Sequence, residues 1–221
     1  MPAQRYRTGP LGAALLVVLT ATAAPAQTVA EQAERIGQMQ ASGDFAGALA
    51  AARALQAALW DEAPGIDFTE YLPETERSAG FGLYNPRPDA RYKQGEPVMI
   101  YVEPVGFGYG AGGEGIYLVG FYVDLQVLGQ DGNELANAVN ITQLDHATRA
   151  RVQEFGTDVI YNFNGLAPGK YRLVTTLRDK NSARSGSFEI AIEVTDEVWT
   201  EPGAGQAPDA APDAAPASGG N

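Results

Sequence analysis

The chain has 221 residues, a formal charge of −12, one histidine and no cysteine. That acidic balance argues against nucleic acid and anionic membrane as partners, since both demand a cationic face. The missing cysteines exclude disulfides, thiol chemistry and a lipid-bearing N-terminal cysteine, so the stability must come from a core.

Residues 1–26 read as a signal peptide. Arg5 and Arg7 give a positive start, residues 11–23 form a short apolar run rich in small side chains, and Ala24-Pro25-Ala26 supplies an A-x-A cleavage site. The expected product begins at Gln27, is periplasmic or secreted, and does not span a membrane after cleavage.

Residues 27–60 read as a helical hairpin. Val29, Ala33, Ile36 and Met39 recur at helical spacing, Ser42-Gly43-Asp44 breaks the pattern and offers an N-cap, and Phe45, Leu49, Ala52, Leu55 and Leu59 resume it. Gly43-Asp44-Phe45 followed by Ala48-Leu49 and Ala51-Ala52 resembles the turn and second helix of a tetratricopeptide repeat. One such unit cannot bury its own faces, so the resemblance implies a hairpin that docks on another surface or dimerises. Residues 61–90 are punctuated by Pro64-Gly65, Pro73, Gly80, Gly82, Pro86 and Pro88 and read as a connector. Its aromatic residues hold it to the surface of the following domain, with a short edge strand near 82–84.

Residues 91–199 carry the strand signals. Val98, Ile100 and Val102 alternate, with Pro97 at the strand start and Pro104 ending it. Residues 106–115 contain six glycines with Phe107 and Tyr109 and read as a loop. A long strand follows over 117–128, Asp131-Gly132 is a hairpin signal, and 135–144, 148–155 and 158–163 read as three weaker strands. The clearest statement is the hairpin over 165–194. There Tyr171, Leu173, Thr175 and Leu177 alternate with Arg172, Val174, Thr176 and Arg178, and Phe188, Ile190, Ile192 and Val194 alternate with Glu189, Ala191 and Glu193. The polar stretch between them reverses the chain.

Seven to eight short strands separated by turns predict a mostly β fold, an antiparallel β-sandwich preceded by the α-helical hairpin. The run Leu166-Ala167-Pro168-Gly169-Lys170-Tyr171 resembles the turn before strand F of fibronectin type III and immunoglobulin-like domains. The resemblance implies a structural role for Pro168, Gly169 and Tyr171, the tyrosine hydroxyl turning back onto upstream backbone. With no tryptophan inside the strands, an immunoglobulin-like relative is favoured over a true fibronectin module. The runs 81–87 and 95–104 are similar to exported bacterial proteins of no assigned activity. Residues 200–221, built from Ala, Pro, Asp and Gly, hold too little apolar bulk to order and read as a disordered tail.

Chemistry is sparse. His146 sits in a turn with no motif supplying a nucleophile, and a zinc site around one histidine would need three carboxylates. Asp131-Gly132-Asn133-Glu134 lacks the alternating ligands of an EF-hand. No catalytic residue, metal or cofactor is therefore expected. Glu96, Glu103, Glu114 and Asp124 are the carboxylates a glycosidase-like pair would draw on, with nothing in their spacing to choose among them. The glycine loop invites one functional reading. Phe107 and Tyr109, with Tyr117 beyond them, are the contact if the domain binds through its loops, whereas a plain hairpin connection packs the same rings back on the sheet. These features together predict a non-catalytic exported binding or assembly module of the bacterial cell envelope, with a protein or glycan as partner. A carboxylate-dependent glycan-active enzyme is the alternative, and oligomeric state is not readable.

Overall fold

The computed structural model describes residues 28–200. The expected signal peptide and the segment from 201 onward lie outside them. The chain divides into two compact units between Leu55 and Gln56.

The first unit is helical. Helix α1, Val29–Ala41, opens on a capping box: the Glu31 N–H donates to Thr28 Oγ1 at 3.3 Å and the Thr28 N–H donates to Glu31 Oε2 at 2.8 Å. Gly43, at φ +85°, turns the chain, and the Asp44 carboxylate accepts from the Gly47 N–H at 2.9 Å to cap α2, Phe45–Asp61, whose residues from Gln56 onward belong to the second unit. Among the described residues of this unit only Ala48 is buried, while Phe45 and Leu49 stay exposed.

The described residues of the second unit form nine strands in two sheets: β1 Asp67–Pro73, β2 Arg91–Gln94, β3 Val98–Val105, β4 Gly110–Gly113, β5 Ile116–Gly129, β6 Glu134–Thr148, β7 Thr157–Tyr161, β8 Gly169–Asp179 and β9 Ser185–Val198. One sheet runs β1-β3-β7 and the other β2-β9-β8-β5, with β4 and β6 both pairing β5. β8 stops opposite Phe121 and β4 pairs Ile116–Leu118, so β4 continues the edge that β8 vacates while β6 takes the opposite edge. All strand pairs are antiparallel except β2 with β9.

Alternation explains the core. Leu173, Thr175 and Leu177 of β8 and Phe188, Ile190, Ile192 and Val194 of β9 turn inward beside Val119, Phe121 and Val123 of β5, and meet Val98, Ile100, Val102 and Val159 of the smaller sheet. The one inward hydroxyl on β8, Thr175, is matched at 2.6 Å by Tyr161. Tyr171 is half-buried, and its hydroxyl donates to the Ala167 carbonyl at 2.8 Å just before β8.

Four expectations are corrected. The connector contains β1, whose Asp67–Pro73 stretch pairs β3 over its length. Pro104 does not end β3; β7 stops at Thr157 opposite Val102, so a missing donor beyond that point costs the ladder nothing on that side. Residues 148–155 form no strand, because β6 runs unbroken to Thr148 and the chain then leaves the sheet. The glycine loop contains β4.

Residues 74–90 cover the outer face of the smaller sheet. The Tyr84 ring stacks on Tyr101 with centroids 4.3 Å apart, and the Gly82 N–H donates to the Tyr101 hydroxyl at 2.8 Å. That hydroxyl donates to Glu103 Oε1 at 2.7 Å, and Thr69 donates to Glu103 Oε2 at 3.0 Å. Under the same cover Glu74 is fully buried, and neither of its carboxyl oxygens meets a hydrogen-bond partner in the protein. Burial first, and the neighbouring Asp158 carboxyl second, push its pKa up to about 8.

Candidate functional site

The glycine segment is built on a buried floor. Phe107 is 0 % exposed, with its ring 4.9 Å from Trp60, 5.6 Å from Phe121 and 5.4 Å from Phe155, all edge-on. Trp60 Nε1 donates to the Phe107 carbonyl at 2.7 Å. The expectation of Phe107 as an uncrowded contact residue is thereby corrected: the rings of Trp60, Phe121 and Phe155 enclose it, and the Trp60 bond to its own carbonyl holds the backbone against them.

The segment is also clamped from the β8–β9 turn. Asp179, at the end of β8, is buried and accepts from the Gly108 N–H at 2.6 Å, the Asn181 N–H at 2.9 Å and the Ser182 hydroxyl. A side chain at position 108 would place its Cβ 2.9 Å from that carboxylate, which is why glycine stands there. Asn181 Nδ2 donates to the Leu118 carbonyl at 3.0 Å. The Arg184 guanidinium donates to the carbonyls of Gly106 at 2.8 Å, Trp60 at 3.2 Å and Asp61, placing a cation at the negative end of α2.

Above this floor opens a cleft of about 420 Å³, lined by Tyr109, Tyr117, Arg151, Ile116 and the backbone of the β4 hairpin. Tyr109 is fixed at its far end, where its hydroxyl donates to the Val152 carbonyl at 2.5 Å, and burial pushes its phenol up to about 12. The Arg151 guanidinium lies 4.6 Å over the Tyr109 ring, and Tyr117 meets Tyr109 edge-on at 6.3 Å. Arg151 is ion-paired to Asp61, and the hydrogen bond from that guanidinium holds the Asp61 carboxyl below its usual range. The cleft therefore combines two half-buried tyrosine rings, a guanidinium over one of them and a charge already balanced.

Of the three residues singled out by the sequence, Tyr109 and Tyr117 come together and Phe107 lies beneath them. Arg151, Asp61 and Asp179 were not legible as site residues. Arg151 sits in a stretch that reads as a strand, and the Asp179 turn reads only as a reversal.

The remaining candidates go elsewhere. His146 faces Phe155 edge-on at 4.9 Å with Nε2 3.3 Å from Thr157 Oγ1, and burial lowers its pKa. It lies within β6, not in a turn. Glu96 is paired to Arg87 at 2.8 Å, Asp124 to Arg178 at 2.8 Å, Glu103 to Tyr101 and Thr69, and Glu114 is exposed on the hairpin turn, so the four carboxylates share no cleft. Among the described residues no group of three or more His, Asp or Glu could hold a metal ion. A larger hollow of about 520 Å³ beside β2 is lined by charges that pair with one another, Arg87 with Glu96 and Lys93 with Glu197. No helix among the described residues is long and apolar enough to cross a membrane.

No protein-family model matches the sequence, and no curated protein matches it.

Proposed function

We propose that this chain is a non-catalytic binding module exported to the bacterial cell envelope, periplasmic or secreted, on an immunoglobulin-like sandwich frame. Three features of the second unit support the frame: a three-strand sheet β1-β3-β7, a larger sheet in which β9, β8, β5 and β6 are neighbours, and a first-sheet connection that sends β2 to run parallel beside the last strand. The Tyr171 bond to Ala167 at the entry to β8 is a tyrosine corner in form. The two N-terminal helices, with Phe45 and Leu49 exposed, are the assembly element in this reading.

The observation that carries the binding reading is the Tyr109–Tyr117–Arg151 cleft. It is preorganised, since the wall and floor are fixed before any ligand arrives, and this lowers the ordering cost that glycine would otherwise impose. Its charge is already neutralised by Asp61, so the fitting ligand is an uncharged ring with hydroxyl groups, a sugar of an envelope glycan, lying on Tyr117 and bonding to the Arg151–Asp61 pair. The test is calorimetric titration with soluble peptidoglycan fragments and neutral oligosaccharides. Saturable binding without release of reducing ends, lost in Tyr117→Ala at unchanged melting temperature, is expected. Turnover of the glycan would turn the assignment to a carboxylate-dependent enzyme, and no binding to any of these probes would overturn it.

A further inference from the structure

Where β2 lies beside β9 the ladder is broken by a bulge. The partners Tyr92↔Val194 and Gln94↔Val198 leave Lys93 of β2 opposite Thr195, Asp196 and Glu197 of β9. The bulge is locked at its end, where the Trp199 N–H donates to the Gln94 carbonyl at 3.0 Å and Gln94 Nε2 donates to the Asp196 carbonyl at 3.1 Å. The hollow of about 520 Å³ beside β2 lies at this bulge, and its size is that of a small-molecule site.

Two hydroxyls from residues that line the hollow have no partner. Tyr92 is 1 % exposed and belongs to the core, the Arg87 guanidinium sits 4.1 Å over its ring, and its Oη meets no hydrogen-bond partner in the protein. Thr195 Oγ1, in the bulge, is buried and equally unpartnered. Burial pushes the Tyr92 phenol up to about 12, and the charges that act on it most, Arg87, Glu96 and Asp89, all line the hollow, so the hydroxyl end of the ring faces it. Buried hydroxyls without partners lower stability, and two of them at one hollow mark groups kept for something that enters it.

The charges around the hollow say what enters. Arg87 pairs with Glu96 at 2.8 Å, Lys93 with Glu197 at 2.7 Å and Arg91 with Glu193 at 3.7 Å. Glu96 also accepts from the Lys93 N–H at 2.8 Å, and Asp89 from the Arg91 N–H at 3.2 Å. A charged ligand would have to break one of these pairs, whereas a neutral one leaves them intact. Trp199 is half-buried and lines the same hollow with an aromatic ring. We propose that this hollow is a second binding site, for one neutral monosaccharide unit that lays its C–H face on Trp199 and bonds its hydroxyls to Tyr92 Oη and Thr195 Oγ1. It shares its ligand class with the cleft at Tyr117 but none of its residues, and it stands whether or not that cleft binds. With one ring and two hydroxyls to hold the sugar, the affinity is in the millimolar range.

Trp199 reports on the site, since the one other tryptophan, Trp60, is buried beside Phe107. Titration of the full chain with glucose and N-acetylglucosamine should give a saturable change in tryptophan emission, absent with glucuronate and absent in Trp199→Phe. The change should persist in Tyr117→Ala, which removes an aromatic wall of the other cleft. Tyr92→Phe and Thr195→Val should each weaken binding roughly tenfold, the loss of one hydrogen bond. Their melting temperatures should stay level or rise, because an unpartnered hydroxyl has gone. No saturable change with either sugar overturns the proposal. So does a change that is lost in Tyr117→Ala, an equal response to glucuronate, or a pair of hydroxyl variants that melt lower and bind as before, which would leave the two hydroxyls a purely structural role.

Discussion

Replacing Glu74 by Gln should make the protein more resistant to alkaline conditions, by an amount that follows from where the carboxyl sits. In the folded chain it is fully buried and titrates near 8, against an ordinary value of 4.5. As pH rises from 4.5, the unfolded chain releases this proton while the folded chain keeps it, so stability is fully present below 4.5 and drains away until the folded group ionises near 8. Each pH unit in that window costs about 1.4 kcal/mol, and relaxation of the surface connector that covers the carboxyl trims the total, leaving a loss of roughly 3 to 5 kcal/mol. Gln has nearly the same volume and no proton to lose. Urea unfolding of both proteins across the window should therefore show midpoints that are close at its acidic end and separate steadily toward its alkaline end, with Glu74→Gln the more stable. Parallel profiles would refute the reasoning and mean that the carboxyl is hydrated in the native state.

Phe107→Ala, at a fully buried ring packed edge-on against three others, should cost about 3 to 5 kcal/mol in chemical denaturation. Tyr171→Phe removes the hydroxyl bonded to Ala167 and should lower the unfolding free energy by about 1 kcal/mol, the half-exposed site limiting the effect. Gly186→Ala would bring a Cβ to 2.0 Å from the Ile66 carbonyl oxygen and break the Ile66–Ser185 backbone bond. A loss of about 2 kcal/mol or more is expected in melting temperature and urea midpoint alike.

How much was legible depends on the range over which each feature is determined. The β8–β9 hairpin is local, and its alternation alone places Leu173, Leu177, Phe188 and Ile190 inside. The Thr28 and Asp44 caps are local too, although only Asp44 reads as one beforehand. The parallel pairing of β2 with β9 joins Arg91 to Glu193, and nothing in either segment's own pattern marks the other. The single long β6 is obscured because most of its residues are exposed on both faces, which erases the period-two signal. For the site, the aromatic content of the glycine segment pointed to Tyr109 and Tyr117. Whether Phe107 lay over or under the backbone depended on Trp60 and Phe155, from segments read as a helix end and a weaker strand.

The clamp on the glycine segment has a kinetic consequence. The Asp179–Gly108 bond closes a separation of 71 residues, Arg184–Gly106 one of 78, and Arg184–Trp60 one of 124. Contacts so distant along the chain form only after the intervening strands have docked, because their loop-closure entropy is met late. The cleft is thus absent from any partly folded form, however well the β8–β9 hairpin has already assembled. Recovery of ligand binding during refolding should track the slowest phase and lag behind the return of strand signal in circular dichroism, so that the binding surface matures last, as a report that the whole domain is in place.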